Sequence, residues 1–357
     1  MFRSALIVLT ILAPAWSAEK LPAPDRVPAP PTPQQTQVAR EGVALHDQKD
    51  YAGAIAKYKQ VLAENPWEVN ALYELAYSQF VSKDYQGSIE TSRLGARCRT
   101  DGVARFYMML ASSLDELGKP KEAIDTYRSA IKLQPRLALL HYNLAVSLKR
   151  TKQLVEAKAA AERAIECDPA HASSHAFLGQ LYQEMGYRIP AILAYSRFLQ
   201  LEPEGPRATN VLPALNQLLT SGVGAGAEPG HINIVLSSPS KAQKDEGDFS
   251  GVEMTMSIML AADLIEKPSD AKAAPKSPFD KLVSIYTSLA EGLDIAKPKG
   301  GFAAVYYVPY FTALNKGGYT AAFAASTWKA ANLEGAGKVD TTAFQEWSKA
   351  YSWPRGK

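Results

Sequence analysis

The chain has 357 residues, of which 46% are apolar and 21% charged, and its formal net charge at pH 7 is +3. That length suits two or three units, and the composition is that of a globular protein rather than a disordered or membrane-embedded one. The near-neutral charge, with no Lys/Arg stripe and no interleaving of aromatic and basic residues, argues against a nucleic-acid partner.

In chain order, the first element is an apolar run from Ala5 to Ala13 behind Arg3, followed by small residues at Ala13, Ala15 and Ser17. This pattern predicts a Sec-type secretory signal peptide over residues 1–18, and hence export to a periplasmic or extracellular compartment. The run is short of the about 20 residues a membrane span needs, so no span is expected after cleavage; an uncleaved anchor is the alternative. Residues 19–34 contain Pro22, Pro24, Pro28, Pro30, Pro31 and Pro33, a composition that predicts a stiff, extended linker.

From residue 35 the sequence repeats itself. Small residues stand at Gly42, Ala76, Ala111, Ala145 and Gly179, and again at Ala54, Ser88, Ala123, Ala157 and Ala191; both series step by 34, 35, 34 and 34. Pro66, Thr100, Pro135, Pro169 and Pro203 keep the same steps, which puts one inserted residue between Thr100 and Ala111. About 34 residues supply two helices of three to four turns and two short turns. The small residues let the paired helices approach closely, while Leu75, Leu110, Leu144 and Leu178 on one helix and Tyr58, Tyr127 and Tyr195 on the other fill the space between them. Each proline ends the second helix, and because one pair cannot bury both faces, the pairs must stack.

At these residues the sequence resembles the tetratricopeptide repeat family over about residues 35–204. Repeat two departs most from the pattern, with Ser88, Ser92, Gly95 and Thr100 where Ala, Tyr, Ala and Pro are usual. The resemblance implies an α-solenoid whose first helices line a concave face that receives a protein or peptide. Transferred position by position, that face contains Tyr73, Tyr77 and Phe80, then Arg105 and Met108, then Tyr142, Asn143 and Val146. Such a surface suits an extended or helical apolar segment. The subclass that clamps a terminal carboxylate places lysines where this chain has Ala39, Tyr73, Met108, Tyr142 and Ala176, so that mode is not expected.

Beyond Pro203, Val211, Leu212, Leu215, Leu218 and Leu219 share one face of a segment from Pro206 to Thr220, which reads as the capping helix of an array spanning 35–221. Glycines then mark a linker at 222–230. Residues 231–357 lack the repeat register. A β-like run at Ile232–Leu236 precedes helical patterns near 252–266, 278–293, 303–314, 321–331 and 341–351, predicting a small, mainly helical domain. Its aromatic run Tyr306, Tyr307, Tyr310 and Phe311 is either core or a face for sugars or a partner.

No zinc-protease helix, nucleophile elbow or phosphate-cradling loop occurs, and neither a metal site nor a cofactor is indicated. Cys98 and Cys167 occupy equivalent places in repeats two and four, where stacking geometry disfavours a mutual disulfide. His46, His141, His171 and His175 read as structural. The expectation is an all-α protein: five helix pairs and a cap, then a helical domain, serving as an exported interaction scaffold and not an enzyme. The alternative is a cell-envelope glycan binder or enzyme whose active part is the C-terminal domain.

Overall fold

The computed structural model describes residues 24–225, 231–234, 246–265 and 276–354. The expected signal peptide and the first part of the proline linker lie outside them, as does most of the glycine-rich segment. The chain divides into two compact units, Met1–Pro135 and Arg136–Lys357. This division falls between the third and fourth repeats, whereas the sequence places a boundary at 222–230.

In the first unit, three helix pairs follow one another: α1 (Pro33–Asp47) with α2 (Tyr51–Glu64), α3 (Val69–Val81) with α4 (Tyr85–Gly95), and α5 (Val103–Glu116) with α6 (Pro120–Leu133). Thr32 starts α1 with a reciprocal capping box to Gln35, and Pro33 fills the first turn, where its missing N–H has no partner to lose. Asp50 and Asp84 cap α2 and α4 through the backbone N–H groups of Gly53 and Gly87. The small-residue register works by contact: a Cβ on Gly42 would come within 2.7 Å of the Tyr58 ring, and Tyr58, Ala54 and Leu75 form the core of the first pair.

Repeat two keeps the architecture by other means. Ser88 Oγ donates to the Ala76 carbonyl at 2.9 Å and accepts from Ser113 Oγ at 2.9 Å, so the hydroxyl in place of a methyl is satisfied. Gly95 is required because the Phe106 ring leans into the space where a Cβ would sit, only 2.1 Å away. Ahead of Thr100, the backbone of Arg97 and Arg99 pairs with the linker. Arg26 forms a parallel bridge to Cys98, and Arg99 N–H donates to the Arg26 carbonyl at 2.7 Å. Asp25 accepts two hydrogen bonds from the Arg97 guanidinium, and Trp67 lies beneath both Arg26 and Arg97. The described part of the linker is therefore docked along this unit rather than a free spacer.

The second unit continues with α7 (Ala138–Arg150), α8 (Leu154–Cys167), α9 (Ala172–Glu184), α10 (Arg188–Leu201) and the cap α11 (Pro206–Thr220). A two-stranded antiparallel ladder, β1 (Val223–Ala225) and β2 (Ile232–Ile234), follows, with Val223 opposite Ile234. Then come α12 (Ser250–Ile265), α13 (Pro278–Ala296), α14 (Gly301–Tyr306), α15 (Val308–Lys316), α16 (Thr320–Thr327) and α17 (Thr342–Ala350). The helix expected over 303–314 is two helices meeting at Tyr307, because Pro309 has no N–H to continue the ladder. The pattern at 321–331 ends its α-helix at Thr327 and finishes as a 3₁₀ turn.

The C-terminal helices pack on the repeats. Every residue of α10 from Ile189 to Leu199 is buried, against α9 and α11 on one side and α14 and α16 on the other. Ser196 Oγ and Tyr286 OH lie 2.8 Å apart, and Trp328 Nε1 donates to the same phenol at 3.2 Å. His175 is fully buried, with Nδ1 2.7 Å from Tyr307 OH and Nε2 3.1 Å from the Pro169 carbonyl, so neither ring nitrogen is spare. Among the described residues no helix is long and apolar enough to cross a membrane.

Candidate functional site

The first helices of the pairs carry the residues expected on the inner face, and the structure assembles them separately in each unit. In the first unit the stack runs through His46, Tyr77 and Tyr73 to Arg105. The His46 and Tyr77 rings are 5.0 Å apart and inclined by 23°; Tyr77 and Tyr73 are 6.5 Å apart and inclined by 9°; Arg105 Cζ sits 4.8 Å above the Tyr73 ring. Phe106 meets Tyr73 edge-on at 6.0 Å. His46 Nδ1 is held 2.8 Å from Ser78 Oγ, which fixes the imidazole plane. Arg105 is steadied by its contact with the Asn70 amide oxygen at 3.4 Å.

Tyr77 is 39% exposed, the most open of these rings, while Tyr73 is half-buried and its phenol pKa is pushed up by burial. Beside them the half-buried Glu74 carboxyl is also raised by burial, an effect countered by the positive potential of His46 and Arg105. The result is a ribbon of π-faces with a cation at one end. Phe80 does not join it: that ring packs edge-on against Tyr85 at the turn into α4. Met108 is half-buried on α5.

In the second unit, α7, α9 and α11 line an open groove of ≈ 560 Å³. Tyr142 stands in it, edge-on to Phe177 at 5.8 Å and to His171 at 5.3 Å. Gln180, Gln183, Arg207 and Asn210 give it polar lining, and among the described residues none after α11 lines it. Asn143 is half-buried and lies outside this lining. Arg207 bridges Glu202 at 3.2 Å and Ser173 at 3.2 Å, which leaves it ordered beside Tyr142.

Sequence reasoning missed His46, Phe106, Phe177, Arg207 and Asn210. The register contained a signal for four of them. His46 holds the place of Phe80, Phe177 that of Asn143, and Arg207 and Asn210 on the cap hold those of Arg105 and Met108. Treating the cap only as a lid stopped the register one helix too early. The aromatic run of the C-terminal region is core: Tyr306, Tyr307, Tyr310 and Phe311 are each at most 2% exposed and offer no face to a sugar.

Stacked helix pairs of this kind define an interaction scaffold of the solenoid class. Residues 45–112 and 108–172 each match models of the tetratricopeptide repeat, and this array is a tetratricopeptide repeat array. The BBSome complex member BBS4 of Bos taurus is 29% identical over 236 residues, 62% of this chain and 44% of its own length, so the chain spans less than half of the curated relative it matches. Among solved structures, MamA is 25% identical, covering 45% of this chain and 94% of its own with a TM-score of 0.41. A thermophilic repeat protein of Thermus thermophilus is 22% identical, covering 52% and 98% with a TM-score of 0.43.

Proposed function

We propose that the chain is an exported adaptor that holds a partner polypeptide against the inner faces of its repeats. The observation that carries this reading is the partly exposed stack of His46, Tyr77 and Tyr73 ending on Arg105, a surface suited to aromatic or apolar side chains of an extended segment. Rings held by hydrogen bonds and neighbouring rings lose little freedom on binding, so less of the contact energy is spent on ordering them. The open groove around Tyr142 and Arg207 supports the same use in the second unit.

A photo-crosslinker at Tyr77 in living cells, followed by mass spectrometry of the trapped species, tests the assignment. A defined polypeptide crosslinked at Tyr77, and absent with the crosslinker at the outer-face position Arg128, is the expected result. Equal trapping at both positions overturns it. Export is checked by the N-terminal sequence of the mature protein, expected to begin shortly after Ser17 in an envelope or culture fraction.

A further inference from the structure

The second unit holds another cavity, of ≈ 480 Å³, between α10, the end of α16, α17 and the turns that follow α8 and α10. Arg197 of α10 lines it at only 6% exposure. One terminal nitrogen, Nη1, donates to Gln200 Oε1 at 2.7 Å, and Nη2 reaches the Pro169 carbonyl at the limiting distance of 3.5 Å. Nε has no partner, so the side-on edge formed by Nε and Nη2, the edge that takes a carboxylate with two parallel hydrogen bonds, is almost unused. Among the described residues no carboxylate pairs with this guanidinium; its electrostatic neighbours are the phenols of Tyr310, Tyr306 and Tyr307.

A buried cation without an anion is costly, so an anion that reached this guanidinium would offset a desolvation penalty the fold leaves unmet. The surroundings fit such a visitor. Trp353 lies over the guanidinium at 4.3 Å, and Tyr351 and Phe344 add aromatic walls. Ser348 Oγ accepts from Gln200 Nε2 at 2.6 Å, and Ser326 Oγ is buried without a partner. Lys329 and Lys349 stand exposed at the cavity, whereas Asp168 is the one carboxylate among the described residues on its lining and accepts from the Ala170 N–H in its own turn at 2.9 Å.

We propose that this cavity binds a small aromatic carboxylate, its anion on the free edge of Arg197 and its ring among Trp353, Tyr351 and Phe344. The volume lies within the range of about 300–1,000 Å³ usual for small-molecule sites. The site is separate from the inner-face grooves, so its failure would leave the crosslinking result at Tyr77 untouched.

The test is calorimetric titration of the full-length protein with benzoate, with its neutral isostere benzamide, and with inorganic phosphate. Saturable binding of benzoate, at least ten-fold tighter than that of benzamide, is expected. Arg197→Met should abolish it, and Arg197→Lys, which keeps the charge but not the fork, should weaken it about ten-fold. Because Arg197 is buried, the exposed Lys349→Glu serves as a second variant: it should weaken benzoate several-fold with an unchanged thermal midpoint. Equal binding of benzoate and benzamide, or benzoate binding unaltered in both Arg197→Met and Lys349→Glu, overturns the proposal. Phosphate binding more tightly than benzoate overturns the planar-carboxylate assignment.

Discussion

Tyr58 has no exposed surface, yet its hydroxyl meets no hydrogen-bond partner. The ring fills the first pair while the oxygen carries an unmet desolvation cost, so Tyr58→Phe should stabilise the protein by about 0.5–1 kcal/mol and Tyr58→Ala should destabilise it by about 3–5 kcal/mol. Urea midpoints of the two variants check both signs. At Gly95 a methyl would strike the Phe106 ring, and overpacking of this kind costs about 1–3 kcal/mol, more than the helix-propensity gain at a terminal helix position. Gly95→Ala should therefore lose stability, and Phe106→Leu should recover part of the loss; strict additivity of the two changes would refute the clash.

A second residue-scale prediction concerns protons. Lys158 pairs with both Glu162, at 3.2 Å, and Glu246, while Tyr182 OH lies within hydrogen-bond distance of both carboxylates. Two carboxylates face one ammonium, and burial together with the Glu246 charge raises Glu162 to about 7. The folded protein then holds a proton that the unfolded chain releases near 4.5, so this contribution is full below pH 4.5 and disappears as pH rises to 7. His175 works in the opposite direction: burial lowers it to about 3, the unfolded chain takes up the proton first, and stability falls as pH drops below 6.5. Glu162→Gln leaves Lys158 and Glu246 balanced, and it should gain about 1–3 kcal/mol on the parent protein between pH 5 and pH 8. A constant difference across that range would count against the shared proton. None of this was readable in advance, since Lys158 and Glu246 are 88 positions apart and hydrogen bonds such as His175 to Tyr307 leave no local pattern.

At the scale of elements, the turns inside the helix pairs share a feature that composition hides. Lys49, Lys83, Gly118, Lys152 and Gly186 all have φ between 61° and 80°, and they keep the repeat steps of 34, 35, 34 and 34. Left-handed backbone costs a side chain about 1 kcal/mol relative to glycine, which two repeats use and three do not. Lys83→Gly and Lys152→Gly should each stabilise by about 0.5–1 kcal/mol in chemical denaturation, and a loss in both would mean that the lysine side chains are needed there. The helix pairs were legible because sterics impose the same small and large residues at each crossing. The break at Tyr307 was legible in principle through Pro309, but an apolar run continuing on both sides masked it.

For the molecule as a whole, α10 decides how the second unit is built. Its sequence is apolar nearly all round, unlike an outer helix with one watered side, and that was the sign that the C-terminal helices would cover it. Reading residues 231–357 as a body of their own overlooked this. A chain ending after α11 should expose the side of α10 that meets α14 and α16, bind a hydrophobic dye and aggregate, whereas the full chain should do neither. If the shortened chain stays monomeric and dye-free, α10 does not depend on the helices that follow.

The burial of α10 also sets a timetable. Leu199 leaves the ribosome 129 positions before Trp328, which belongs to the layer that covers it. At about 5–20 residues per second, that is a delay of roughly 6–26 s. Throughout it α10 can pack on α9 and α11, but the side that α14 and α16 later cover has no partner yet, so a newborn chain carries that apolar strip bare until its last third arrives.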